Sequence, residues 1–227
     1  MREAVSEQFR EEEHGGWGYR EYGPPLMVGK EVSYPRERVL SNVSRWATIP
    51  TVKRQSVAEH AFNVAMMAPR VASLIHWGGL MQHFHWLSRW AIMHDMSEAI
   101  MGDAPTPLKR RIKESYNVVE MDFVEHFHPE LEVMLRLIEK GEAPWPDIAA
   151  IVKFTDCLEA TQFLINEMMF GNLAIRPTYL QLRERVTALW QLLPFGSRMT
   201  EEDQIEAYKS KIWPLIEEKP RNWEVIE

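Results

Sequence analysis

Apolar and polar positions recur at helical spacing over most of this chain. In "SVAEHAFNVAMMAPRVASLIHW", which begins at Ser56, apolar side chains fall three and four residues apart, the spacing that gathers them on one face of a helix. Ser56 and Glu59 make a capping-box pattern at its start, Pro69 is where a kink is expected, and Gly78 and Gly79 end it. A second long helix is predicted from Leu80 to Met101, stopped by Gly102. A short helix near 35–44 precedes both and leads into the loop "SRWATIPTVKRQ". Further helices are expected over about 107–127, 129–140, 146–170, 175–192 and 200–217, separated by "GEAPWP", "GN" and "PFG". No alternating run is long enough for a strand, and there are no repeats. The expected fold is all-α, a compact single-domain helical bundle. Residues 1–33 mix charge with Gly15, Gly16, Gly18, Pro24 and Pro25 and read as an N-terminal arm, leaving 34–220 as the domain.

Composition narrows the function. With 227 residues and 45% hydrophobic content, the chain can bury one good-sized core. A net charge of −7 argues against coating a nucleic-acid polymer or an anionic membrane by bulk electrostatics, so an anionic ligand would have to meet a local basic patch. The single cysteine, Cys157, excludes an internal disulfide framework and a Cys-rich zinc site and fits a reducing compartment. No signal peptide or membrane-spanning run is present in the sequence, and the expected location is the cytoplasm.

The chemistry concentrates in "AIMHDMSEAIMGDAPTPLK", where His94, Asp95, Glu98 and Asp103 fall within ten positions. On a continuous helix Glu98 would lie one turn from both His94 and Asp95. Burying such carboxylates without a partner costs several kcal/mol each, in order of magnitude, so a cation is expected among them. His60 on the preceding helix and Asp156 amid the apolar "IVKFTDCLEATQFLI" complete two imidazoles and two carboxylates. That set suits Mn, Fe, Co, Ni or Zn better than Ca or Mg. Plainer readings apply to neighbouring residues: Glu59 serves its helix cap, while His83, His85, His126 and His128 are surface or packing residues. The run Lys109, Arg110, Arg111 and Lys113 reads as a solvated helix face. Gly102, Pro105 and Pro107 restrict the turn that carries Asp103 and Thr106.

The order His60, His94-Asp95, Asp156 resembles the H…HD…D signature of the HD-domain metal-dependent phosphohydrolases. "SRW", "SVAEHAFNVAMMA", "HDMSEAIMGDAPTPLK" and "VKFTDCLEA" are moreover similar, in text and spacing, to the bacterial 5'-deoxynucleotidases of that superfamily, over about residues 36–175. The resemblance implies a bundle of the HD-domain type in which His60, His94, Asp95 and Asp156 hold one divalent transition metal. It implies that Glu98 orients or deprotonates the attacking water and that Asp103 assists proton transfer at the departing oxygen. Arg45 and Lys109 would hold the phosphate, Thr106 would hydrogen-bond the phosphate or sugar, and Trp46 would pack on the sugar or base.

The implied substrate is a small-molecule deoxyribonucleotide, first a deoxyribonucleoside 5'-monophosphate cleaved to nucleoside and phosphate. Compact phage enzymes of the same superfamily that remove triphosphate from deoxynucleoside triphosphates look alike around the metal and stand as the alternative. The basic run from Lys109, with Lys53 and Arg54, would favour that longer phosphate chain if it faced the pocket. A third reading, a metal-bearing binding module without turnover, is opposed by the presence of Glu98 and Asp103. The apolar segments "IHWGGLMQHFHW" and "NEMMFGNLAIRP" suggest a homodimer or larger homo-oligomer.

Overall fold

The periodic segments become helices, and one of them organises the rest. The computed structural model describes residues 36–217 except 104, 113, 114, 116, 119, 120 and 122–128; the N-terminal arm, His126 and His128 lie outside the described residues. A 3-10 helix, Arg36–Ser41, leads to α1 (Val57–Leu74), α2 (Leu80–Met93), the single turn α3 (Glu98–Met101) and α4 (Thr106–Arg111). Then come α5 (Pro129–Glu139), α6 (Trp145–Met169), a 3-10 turn (Leu173–Ile175), α7 (Arg176–Trp190), α8 (Glu201–Ala207) and α9 (Trp213–Ile216). Among the described residues the sole extended pairing is an antiparallel bridge between Ser44 and Ser56, so the fold is all-α.

Helix α6 is the axis, packed by α1, α2, α5 and α7. Its residues from Phe154 to Thr161 are buried without a break, the mark of a helix enclosed on all sides. The two threonines of that run are satisfied locally: Thr155 and Thr161 donate from Oγ1 to the carbonyls of Ile151 and Cys157, each at 2.7 Å. Around it Val64, Ala68, Val71, Leu87, Ala91, Phe154, Leu158, Val186 and Trp190 form the main core. A smaller group, Leu40, Val57, Met96, Ala99 and Met134, lies under the first 3-10 helix. A third, Phe163, Leu164, Met168, Ile175 and Tyr179, receives Trp46 and Ile49 at its edge.

Helix α1 is continuous through Pro69. Its N-cap Ser56 accepts the Glu59 N–H on Oγ at 3.1 Å, while the Glu59 carboxylate turns to Lys53 Nζ at 3.3 Å, so the cap is one-sided. After α1 the chain doubles back through His76. The Gly196 N–H donates to the Ile75 carbonyl at 2.8 Å, and a Cβ on Gly196 would lie 2.0 Å from the His76 carbonyl oxygen, an approach open only to glycine.

Two expectations are corrected. The helix predicted from Leu80 to Met101 ends at Met93 and restarts at Glu98. His94 Nδ1 lies 2.8 Å from the Ala91 carbonyl, the acceptor a continuing helix would offer to the Asp95 N–H, and such side-chain competition ends helices. The helix predicted over 200–217 is split by a π turn, Tyr208–Ile212, between α8 and α9. Pro214 has no N–H to return to the carbonyl one turn back, which widens the coil there. The helix predicted over 107–127 is described as α4, and the remainder of that stretch lies mostly outside the described residues. The apolar segments noted above leave Met81, Phe84, Met169, Phe170 and Leu173 exposed. No helix among the described residues is long and apolar enough to cross a membrane.

Candidate metal centre and its substrate turn

Four elements converge on one end of the bundle. His60 closes the first turn of α1, His94 and Asp95 open the turn after α2, Asp156 projects from the buried middle of α6, and Arg45 follows Ser44 at the start of the loop between the bridged Ser44 and Ser56. The His60 and His94 rings meet edge to face with centroids 5.4 Å apart. His60 Nε2 lies 3.3 Å from Asp156 Oδ1 and 3.7 Å from Asp95 Oδ2, and His94 Nε2 lies 3.3 Å from Asp95 Oδ2. One ligand atom each from His60, His94 and Asp156 falls within 4.8 Å of the others.

Both Nε2 atoms are buried and make no hydrogen bond, which is costly for imidazole nitrogens unless a ligand is meant for them. The neighbouring carboxylates are ionised. Burial alone would raise the Asp95 carboxyl, but the charge of the adjacent His94 holds it well below the ordinary carboxylate range. Burial likewise opposes, and His60, Lys153 and Arg45 overcome, in lowering Asp156. Burial depresses the His94 imidazole, yet Asp95 and then Asp156 raise it to about 9. Two orphaned imidazole nitrogens facing two anionic carboxylates make a donor set that fits a divalent ion of the imidazole-binding class.

The remaining sequence-predicted residues surround this cluster. Glu98 begins α3 and is 1% exposed; Oε1 takes a 2.5 Å ion pair from Lys109 Nζ, while Oε2 is buried with no hydrogen bond. Burial, and next the Asp95 charge, push the Glu98 carboxyl up to about 8 against the pull of Lys109. Arg45 reaches Asp156 Oδ1 at 3.3 Å and Glu159 Oε2 at 3.4 Å. Thr106 opens α4, and its side chain lies outside the described residues. Lys53 pairs with Glu59, and Arg54 Nη2 donates to the Asn42 carbonyl at 2.6 Å, so these two basic groups are engaged away from the cluster. Arg111 is exposed.

Trp46 is held unusually. Its φ of 64° is rare for a bulky residue. The Trp46 N–H donates to Asp103 Oδ2 at 2.8 Å, and its indole Nε1–H donates to Gln55 Oε1 at 3.0 Å. The ring stacks on Phe163 with centroids 5.6 Å apart and planes 8° from parallel. Asp103 sits just past Gly102, whose φ of 71° ends α3. The two segments that the sequence singles out separately are therefore joined by one hydrogen bond.

Sequence reasoning missed four participants. Lys153 Nζ lies 2.6 Å from Asp156 Oδ2, one turn before it. Glu159, one turn after Asp156 and 5% exposed, takes His60 Nδ1 on Oε2 at 2.5 Å and Gln55 Nε2 and Asn63 Nδ2 on Oε1 at 2.6 and 3.0 Å. An acid within an apolar helix was signal enough for Asp156 and served equally for Glu159. Gln55 and Asn63 carry no such mark.

The sequence pattern of the family described as 5'-deoxynucleotidase YfbR-like matches residues 37–194. The chain belongs to this family. Within the YfbR-like family, the 5'-deoxynucleotidase YfbR of Salmonella arizonae is 32% identical over 144 residues, covering 59% of this chain and 71% of that protein. The Salmonella paratyphi B protein of the same name is 31% identical over 141 residues, covering 57% and 69%. Among solved structures, the HD phosphohydrolase DatZ of cyanophage S-2L, bound to dA and one catalytic Zn2+ ion, superposes with a TM-score of 0.60 at 21% identity, over 81% of this chain and 96% of that one. A protein of Pyrococcus horikoshii does so with a TM-score of 0.60 at 19% identity, over 79% and 96%. These structures share the HD-type helical fold of this YfbR-like chain.

Proposed function

We propose that this protein is a metal-dependent phosphohydrolase that converts deoxyribonucleoside 5'-monophosphates to deoxyribonucleosides and phosphate, as the relatives' name describes for them. The observation that carries the reading is the pair of buried, unpartnered Nε2 atoms of His60 and His94 facing Asp95 and Asp156, with Glu98 and Arg45 beside them. His60, His94, Asp95 and Asp156 would hold one divalent transition metal. When bound, such an ion supplies a Lewis acid for a phosphoryl oxygen and acidifies a water. Glu98, steadied on Oε1 by Lys109, takes the water proton on Oε2 as oxygen attacks phosphorus, and the 5'-oxygen takes up a proton from solvent water as its bond to phosphorus breaks. Arg45 offers a planar fork to the phosphate oxygens and keeps Asp156 and Glu159 neutralised until they arrive. Trp46, fixed by Asp103 and Gln55, presents the Arg45–Trp46 turn to the sugar. On this reading Asp103 is a positioning residue for the turn, and proton transfer at the departing oxygen is the competing role.

Lys53 and Arg54 are drawn to Glu59 and Asn42, which favours the single phosphate over a triphosphate chain. The exposed Met81, Phe84, Met169 and Phe170 support an assembly of copies of this chain, to be read by sedimentation. The decisive experiment incubates the Mn2+- or Co2+-loaded protein with each deoxynucleoside mono-, di- and triphosphate and separates the products. Phosphate and nucleoside from monophosphates are expected. Triphosphate released in one step would replace the reading with the triphosphohydrolase, and metal-loaded protein without turnover would replace it with a binding module.

A further inference from the structure

Glu159 stands behind the cluster rather than in it. The His60 ring offers Nε2 to the side of Asp156 and Asp95, and Nδ1 to Glu159 Oε2 at 2.5 Å. A carboxylate is an acceptor only, so this contact requires a proton on His60 Nδ1, and in the neutral imidazole that leaves the Nε2 lone pair for a metal. His94 has a different partner on that side, since its Nδ1 faces the Ala91 carbonyl, and its neutral form likewise presents Nε2. Glu159 also has no lone pairs to spare. Oε2 takes His60 Nδ1 and Arg45 Nη1, and Oε1 takes Gln55 Nε2 and Asn63 Nδ2. Four donors on two buried oxygens exclude it as a ligand or proton carrier. The same carboxylate thereby ties a metal-facing imidazole to the substrate turn: Arg45 is bound directly, and Gln55 passes its own Oε1 to the Trp46 indole at 3.0 Å.

We propose that Glu159 is the positioning residue of this site, fixing the tautomer and ring orientation of His60 while anchoring Arg45 and Gln55 to the same carboxylate. The proposal rests on the metal reading given above. Partners of this kind behind a ligating histidine are worth about 10–100-fold in metal affinity.

The test compares the wild-type protein with Glu159→Gln and Glu159→Asp. Zn2+ affinity is measured by calorimetry, and the His60 ring nitrogens are read by 1H–15N NMR of the Zn2+-loaded, diamagnetic protein. Wild type should show a slowly exchanging low-field proton on His60 Nδ1. Glu159→Gln, whose amide offers one oxygen to four donors, should bind Zn2+ about 10–100-fold more weakly and lose or shift that proton signal. Glu159→Asp keeps the charge but withdraws it by one methylene. It should show the same loss, and it carries the test if the glutamine variant does not fold. Unchanged affinity and an unchanged Nδ1 proton in either folded variant would overturn the proposal, as would His60 bound through Nδ1 in wild type, which needs no variant. A wild-type chain that takes no metal would bring down the proposed function as well, whereas normal metal binding that ignores residue 159 brings down this inference alone.

Discussion

Replacing Asp103 with alanine separates holding the substrate turn from moving a proton. Asp103 Oδ2 accepts the Trp46 N–H at 2.8 Å, and Trp46 sits at φ 64°. Such a backbone conformation costs about 1–3 kcal/mol, while a hydrogen bond to an ionised acceptor contributes about 1.5–3 kcal/mol. The two are of equal size, so without the carboxylate the turn is no longer held in its observed form. At ~1.4 kcal/mol per tenfold, losing the bond reduces the binding-competent population about 10–100-fold, and apparent substrate affinity falls by the same factor. Steady-state kinetics of Asp103→Ala on deoxyribonucleoside 5'-monophosphates should therefore show KM raised about 10–100-fold with kcat little altered. Asp103→Asn, which keeps a neutral acceptor, should move KM less. A kcat that collapses at constant KM would refute the reasoning and return Asp103 to proton transfer.

Glu167 is buried and accepts the Val52 and Lys53 N–H groups at 2.5 and 2.7 Å and Asn172 Nδ2 at 3.1 Å. Glu167→Gln should cost about 1–3 kcal/mol, a Tm decrease of about 2–12 °C by calorimetry. Burial opposes but these hydrogen bonds prevail in lowering the Glu167 carboxyl. Its contribution is therefore full above the ordinary glutamate value and is lost as pH falls through the depressed one, so variant and wild type should converge in acid; a constant gap would count against the charge. Glu98→Gln should retain metal at full stoichiometry and lower kcat by about 10²–10⁴, and an undiminished kcat would remove Glu98 from the chemistry. Leu87→Ala, at a fully buried position in the main core, should cost about 2–5 kcal/mol in urea unfolding; a change under 1 kcal/mol, in order of magnitude, would mean that the site collapses to fill the space.

The helices were legible because burial imposes a period on the side chains, and α1, α6 and α7 appear close to where that period places them. The break after Met93 was not. Nothing in the pattern around His94 reveals that its imidazole will face the Ala91 carbonyl, and the apolar spacing runs on through Ala99 regardless. The cluster itself was legible from residue type and order, because His60, His94, Asp95 and Asp156 have little reason to share a core without a cation. Its support was only half legible. Glu159 announces itself as an acid in an apolar helix, but Gln55 and Asn63 matter through contacts made across roughly a hundred positions of chain, which spacing cannot report. The π turn at Tyr208–Ile212 needed only attention to Pro214, whose consequence for the preceding carbonyl is local.

Asp156, Glu159 and Glu167 all belong to α6, so one element sets the distances among the carboxylate facing His60, the imidazole support and the anchor of the loop at Val52 and Lys53. Along a helix that distance is counted in residues, about 1.5 Å each, and direction is counted in steps of about 100°. Eleven steps from Asp156 to Glu167 return to nearly the same face about 16 Å away. Helix α6 thus behaves as a gauge: one residue added between Glu159 and Glu167 would swing the loop anchor about a quarter turn from its amide groups while leaving the catalytic end intact. Changes in substrate range on this scaffold are accordingly expected in the loop that the gauge holds, around Trp46 to Arg54, where length and composition can vary without resetting the scale.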